Sequence, residues 1–323
     1  MNELSVGAVV GPYTIESCLG AGGMGSIYVA HARDDREVIL KFPHITMLGD
    51  PALFDRYQRE LEIGRLLDHP GVQRVIDTGD YEGNPYMVTL FAPGVSLREY
   101  LGSHSPLPVP EAVRLLGGLC DGVAYCHEHG VFHRDLKPEN IIISPQGDPT
   151  IIDFGIALLR GARRITWSGL SSAVGTPDYM APEQIQGKRG DARTDIYALG
   201  AMGYEFVSGQ VPFSGDNPLA VMSQHLYGVV RPITEIAPAV PPALDVVIRK
   251  AMQRNPDDRY QTADDFRMAL LHFDTTKTVL HDDTPPTVSP RFRQVLVYTL
   301  VIGAIIAGII LLGILAQIAH GGH

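Results

Sequence analysis

His133 to Asn140 reads His-Arg-Asp-Leu-Lys-Pro-Glu-Asn, and three side chains in that stretch carry complementary chemistry. Asp135 is placed to accept a proton, Asn140 can offer an oxygen to a metal, and Lys137 between them can steady a phosphoryl group. A lone Asp in a loop is ordinarily a turn former or a cap; the three together describe a loop built for phosphoryl transfer. A second carboxylate follows eighteen positions after Asp135, where the short apolar run Thr150-Ile-Ile152 enters Asp153-Phe-Gly155. A magnesium ion takes few protein oxygens and keeps phosphate and water as its other ligands. Asp153 and Asn140 are therefore the expected metal pair, leaving Asp135 to orient a substrate hydroxyl.

These groups need elements to hold them. The catalytic stretch lies between the helix-like Val109 to His129, with Ala112, Leu115, Leu116, Leu119 and Val123 on its apolar positions, and the apolar run Ile141 to Ile143. A loop so held is where catalysis concentrates. Near the N-terminus, Tyr13 to Leu19 and Ser26 to Ala32 read as strands around Gly20, Ala21, Gly22, Gly23, Met24 and Gly25, with Ile27 just beyond. Glycines let a backbone close on phosphates. A dinucleotide-binding unit shares that spacing but would continue into a helix, whereas a strand follows here. Val38 to Lys41 is a further strand ending in a lysine, and Pro51 to Leu67, which carries Glu60, has a helical period. Arg74 to Gly79 and Pro85 to Leu90 read as two more strands, then Phe91 to Gly94 leads into a helix-like Ser96 to Leu101. Helices are expected around 193–208, 218–227, 241–253 and 262–272.

In order, the glycine loop, Lys41, Glu60, His133 to Asn140, Asp153-Phe-Gly155, Ala181-Pro-Glu183, Asp195 and Arg259 resemble the motif series of eukaryotic-type serine/threonine protein kinases, of the bacterial receptor-like, membrane-anchored class. The resemblance implies an α+β, bilobal protein kinase fold over 13–272, with a β-rich N-lobe over 13–90 and a helical C-lobe over 91–272. It also implies ATP as phosphoryl donor, Mg²⁺ or Mn²⁺ as metal, and protein substrates. Lys41 would hold the α- and β-phosphates and pair with Glu60; Thr89 would be the gatekeeper, with Leu90 and Ala92 at the adenine hinge and Ser96 near the ribose. Arg134 would receive an activation-segment phosphate, with Thr166, Ser168, Ser171 and Ser172 as the acceptors. Thr176 would hydrogen-bond near Asp135 and Lys137, Asp195 would anchor the catalytic loop, and Arg259 would pair with Glu183.

The chain departs from the family pattern at three places. Ile39 stands where Ala is usual and is expected to crowd the roof of the adenine pocket. Leu90 replaces a common hinge Glu, and Gly64 is expected to leave a gap that loosens the helix carrying Glu60. The alternatives are a pseudokinase scaffold, disfavoured by the presence of Lys41, Asp135, Asn140 and Asp153, and a small-molecule phosphotransferase, disfavoured by the Ala-Pro-Glu segment.

A net charge of −10 argues against a nucleic-acid partner bound through general electrostatics. Cys18, Cys120 and Cys126 match no paired metal spacing and no disulfide framework. From Asp274 to Arg293 the composition turns to Thr, Pro and Asp, a juxtamembrane linker. Val295 to Ile318 then runs 24 residues without a charge, about 36 Å as a helix and long enough to span a bilayer core of about 30 Å. Arg291 and Arg293 precede it, which places the kinase domain in the cytoplasm of a single-pass inner or plasma membrane protein and residues 319–323 outside. Gly303, Ala304, Ala307 and Gly308 set small residues four apart twice over, so a homodimer through this helix, or through the kinase domain, is expected.

Overall fold

The computed structural model describes residues 4–22, 25–43, 58, 61–154, 158–159, 177–275 and 278–280. They fall in one compact unit, Met1–Asp283; the second unit, Thr284–His323, lies outside them. Gly23, Met24, Glu60, Gly155, Thr166, Ser168, Ser171, Ser172 and Thr176 are also outside, as are the linker beyond residue 280 and the expected span 295–318.

Strands β1 (Val9–Val10), β2 (Tyr13–Gly22), β3 (Gly25–His31), β4 (Glu37–Pro43), β5 (Val75–Tyr81) and β6 (Asn84–Leu90) form one antiparallel sheet in the order β1-β2-β3-β4-β6-β5. Side chains alternate across a sheet. Tyr13, Ile15, Tyr28, Val38, Leu40, Phe42, Tyr86 and Val88 pack into one core on one side of it. The cross-strand pairs Ile27↔Lys41, Val29↔Ile39, Ile39↔Thr89 and Lys41↔Met87 share the opposite side. Lys41 thus sits on the face away from the Tyr28 and Phe42 core. The β5–β6 turn puts Glu82 at φ 53° and Gly83 at φ 77°, the left-handed pair that a two-residue hairpin requires.

The second lobe is built from helices α1 (Leu97–His104), α2 (Val109–Glu128), α3 (Pro182–Ile185), α4 (Ala192–Ser208), α5 (Pro218–Tyr227), α6 (Ile233–Ile236), α7 (Pro242–Ala251) and α8 (Ala263–Leu271). Their starts are written in the sequence: Ser96, Asp191, Asn217 and Thr262 accept backbone N–H groups as N-caps of α1, α4, α5 and α8. Helix α4 is buried from Thr194 to Ser208, the condition of a helix packed on all sides. Small residues permit that packing. A Cβ on Gly200 would stand 2.8 Å from Ala251 Cβ, and one on Gly203 would stand 2.6 Å from Leu116 Cδ2, so α7 and α2 both approach α4 closely. Short strands complete the lobe: β7 (Val95–Ser96), β8 (Val131–Phe132), β9 (Ile141–Ile143), β10 (Pro149–Ile151) and β11 (Leu158–Leu159), paired as β7-β9-β10 and β8-β11.

The gap expected beside Gly64 does not exist. Residues 61–66 are helical, and a Cβ on Gly64 would lie 2.1 Å from Val75 Cγ2. The missing side chain lets Val75 of β5 press against the helix backbone, so this glycine marks close approach rather than looseness.

Candidate functional site

The catalytic stretch is a tight turn held from below. Arg134 has φ 65°, a left-handed conformation costing roughly 1–2 kcal/mol for a residue with a side chain. Asp195, at the start of α4 and 1% exposed, accepts the N–H groups of His133 at 2.9 Å and Arg134 at 2.7 Å, and His127 Nε2 at 2.8 Å. Burial alone would push this carboxyl up. The donors, His127 first, outweigh it and hold Asp195 below the ordinary carboxylate range. A second tie comes from Gln184, whose side-chain amide donates to the Arg134 carbonyl at 2.8 Å.

On this support the three residues converge. Lys137 Nζ lies 2.8 Å from Asp135 Oδ2, and Asn140 Nδ2 donates to the same oxygen at 3.1 Å and to the Asp135 carbonyl at 2.8 Å. With its nitrogen committed to Asp135, Asn140 turns its amide oxygen away from that carboxylate. Both side-chain bonds go to Oδ2 and not to Oδ1.

Asp153 is delivered by sheet pairing. Ile141↔Ile151 register β9 on β10, and the Ile152 N–H donates to the Asn140 carbonyl at 2.9 Å. His133 bridges the two loops: its Nε2 donates to the Ile152 carbonyl at 3.2 Å, its Nδ1 accepts the Asp135 N–H at 3.3 Å, and its ring packs 4.8 Å from that of Phe154. Asp153 itself has φ 65°, so both loops bend sharply where they meet. Asp153 and Asn140 are thereby carried on adjoining backbone, and an amide oxygen and a carboxylate are the donor types a small divalent cation takes.

On the opposite lobe, Lys41 lies on β4 between Ile27 and Met87. Ile39, 6% exposed, is its neighbour on the same sheet face beside Thr89. The Leu90 N–H donates to the Arg74 carbonyl at 3.1 Å and the Phe91 N–H to the Glu37 carbonyl at 3.4 Å. Gly20 and Ile27 are on β2 and β3 and pair directly, as Ala21 does with Ser26 and Gly22 with Gly25. Ser96 caps α1 by accepting the Glu99 N–H at 3.1 Å.

Arg259 and Glu183 meet in the interior. Two parallel bonds, 2.8 and 2.9 Å, join guanidinium to carboxylate, and Thr194 Oγ1 adds 2.8 Å. Burial raises the Glu183 carboxyl, but the Arg259 bonds prevail and hold it below its usual range. This pair fastens Ala181-Pro-Glu183 to the segment before α8. Sequence reasoning did not single out His127, Gln184, Arg98, Tyr179 or Glu205; only Gln184, adjoining Glu183, had a local signal.

The protein kinase domain profile matches residues 13–277. The chain belongs to the protein kinase family. This kinase domain is 36% identical over 264 residues to the serine/threonine-protein kinase PknB of Mycolicibacterium smegmatis, covering 80% of this chain and 42% of that protein. It is 36% identical over 265 residues to a probable serine/threonine-protein kinase of Streptomyces coelicolor, covering 80% and 39%. Against the serine/threonine-protein kinase PrkC of Bacillus subtilis it is 33% identical over 258 residues, covering 80% and 40%. The chain thus spans about two fifths of the length of the curated relatives it matches.

Proposed function

We propose that this protein is a membrane-tethered serine/threonine protein kinase that transfers the ATP γ-phosphoryl group to hydroxyls of protein substrates, its own activation segment among them. The observation that carries this reading is the convergence of Lys137 and Asn140 on the Asp135 carboxylate, with the N–H of Ile152, the residue before Asp153, hydrogen-bonded to the Asn140 carbonyl. Asp135 Oδ1 accepts the substrate hydroxyl proton as the hydroxyl oxygen attacks the γ-phosphorus in line, the bond from that phosphorus to the β–γ bridging oxygen breaks, and ADP leaves. Lys137 offsets charge on the transferred group, and Lys41 steadies the α- and β-phosphates. Asn140 Oδ1 and the Asp153 carboxylate would hold Mg²⁺, which supplies charge neutralisation across the phosphates. Little covalent work falls to the protein; positioning and electrostatics do most of it.

The test is transfer of label from radiolabelled ATP by the full chain in detergent. Asp135→Asn is expected to lower kcat by about 10²–10⁴-fold, the range for a removed general base. Labelling that is equal in parent, Asp135→Asn and Lys41→Met would sink the enzyme reading in favour of a scaffold.

The tether rests on the uncharged run 295–318 and the basic residues before it; among the described residues no helix is long and apolar enough to cross a membrane. A reporter fused after His323 that is active only outside the cytoplasm supports single-pass topology; cytoplasmic activity refutes it. Association through the small-residue stripe is expected to weaken on replacing Ala304 and Gly308 together by Leu. Phosphorylation at Thr166, Ser168, Ser171 or Ser172 is expected to raise activity through Arg134, and equal rates for a fourfold Ala variant would count against that.

A further inference from the structure

Three side chains of metal-ligating type meet on the six-stranded sheet, away from the residues of phosphoryl transfer. His31 closes β3 and pairs directly with Glu37, the first residue of β4. Two positions further along each strand stand Val29 and Ile39, so His31 and Glu37 belong to the face opposite the Tyr28 and Phe42 core. Glu16 reaches the same place through a bulge. The β2–β3 register runs Ile15↔Ala30 and then Ser17↔Val29, which leaves Glu16 as the extra residue, and a bulge re-aims the side chain it inserts. His31 Nε2 lies 3.0 Å from Glu16 Oε2, and donor atoms of Glu16, His31 and Glu37 all lie within 4.8 Å of one another.

Two carboxylates held this close repel each other unless a cation stands beside them. Among the described residues no lysine or arginine forms an ion pair with Glu16 or Glu37. Arg36, adjoining Glu37, is instead held at its Nε by Asp34 at 2.6 Å. The spacing suits a metal. Two donors each about 2.0–2.1 Å from one tetrahedral zinc stand about 3.3 Å apart, close to the separation between His31 and Glu16, and the exposed Glu37 side chain has only to turn inward. One imidazole and two carboxylates form a mixed nitrogen and oxygen set, which suits zinc, whereas magnesium takes oxygen alone. Affinity is limited by the outer side of the ring. His31 Nδ1 is enclosed and has no hydrogen-bond partner among the described residues, so a metal on Nε2 leaves the Nδ1 hydrogen without an acceptor. Outer partners of that kind are worth about 10–100-fold in affinity, and binding in the micromolar range follows.

We propose that Glu16, His31 and Glu37 form a zinc site in which the three side chains each give one ligand and water completes the coordination. The site is distinct from the Asn140 and Asp153 pair and stands whether or not the chain transfers phosphoryl groups. Because its ligands come from β2, β3 and β4, a bound ion ties three neighbouring strands together at one point.

The experiment is a zinc titration of the metal-stripped, nucleotide-free full chain in detergent, competed against a chromophoric chelator with magnesium in millimolar excess. The parent is expected to take up one more zinc ion than His31→Gln does. Glu16→Gln and Glu37→Gln should each weaken that ion by about tenfold or more, since even outer partners of a ligand are worth that much. His31→Cys, which supplies another zinc ligand, should keep it. Zinc is also expected to raise the melting temperature of the parent and not that of His31→Gln, because an ion bound to the folded state alone stabilises it. All three side chains lie at the surface, so the exchanges leave the core untouched, and should one of them unfold the chain the other two still decide. Equal zinc uptake and equal melting shifts in parent and His31→Gln overturn the proposal. A loss confined to His31→Gln, with both glutamate variants unaffected, overturns it as well, since it marks a lone surface histidine.

Discussion

At the scale of residues, most of the chemistry is local and the support for it is remote. Asp135, Lys137 and Asn140 sit within one short stretch, so their types and spacing alone name a phosphoryl-transfer loop. The tautomer of His133, with Nε2 bound to the Ile152 carbonyl and Nδ1 facing the Asp135 N–H, depends on a second loop and has no signature in the linear chain. The buried Arg259–Glu183 pair is the energetic counterpart. Removing one side strands a charge, so Arg259→Leu is expected to cost roughly 3–5 kcal/mol in urea unfolding, while Arg259→Leu with Glu183→Leu should recover much of it. Glu183 is held below its unfolded pKa, so its stabilisation is present above about pH 4.3 and is lost as pH falls through the lower, folded value. Glu183→Gln should shallow the acid limb of the stability profile; an unchanged limb would show the pair contributes nothing there.

At the scale of elements, two packing contacts decide what periodicity left open. Gly64 faces Val75 so closely that Gly64→Ala is expected to overpack the joint by roughly 1–3 kcal/mol. Val75→Ala in the same chain should relieve that strain, giving a non-additive pair in thermal melting; strict additivity would place the two residues apart. Helix α5 is pinned to α4 through His225, whose Nδ1 lies 2.7 Å from the Tyr197 hydroxyl, with the Phe213 ring 4.8 Å away. Burial drives the His225 imidazole down to about 4. The unfolded chain therefore takes up the proton first, and stability falls as pH drops from about 6.5 towards 4, by roughly 3 kcal/mol in all. His225→Gln should flatten urea-derived stability across that window relative to the parent, and an unaltered slope would refute the assignment.

At the scale of the molecule, the order of motifs along the chain specified a bilobal kinase domain, because each motif is a short run whose residue types are dictated by its own backbone and ligand chemistry. Helix starts were equally legible, since Asp191, Asn217 and Thr262 cap from within the local sequence. The tertiary structure alone decided how those runs are fastened to one another. That Asp195 and Gln184 grip the catalytic turn, that Val75 closes on Gly64, and that Arg98 sits between Glu139 and Glu205 all follow from side chains meeting across 11 to 107 residues of chain. A hydrophobic period records which face of an element is buried, but it carries no address for the partner, and only the folded packing of helix on helix and loop on loop supplies one.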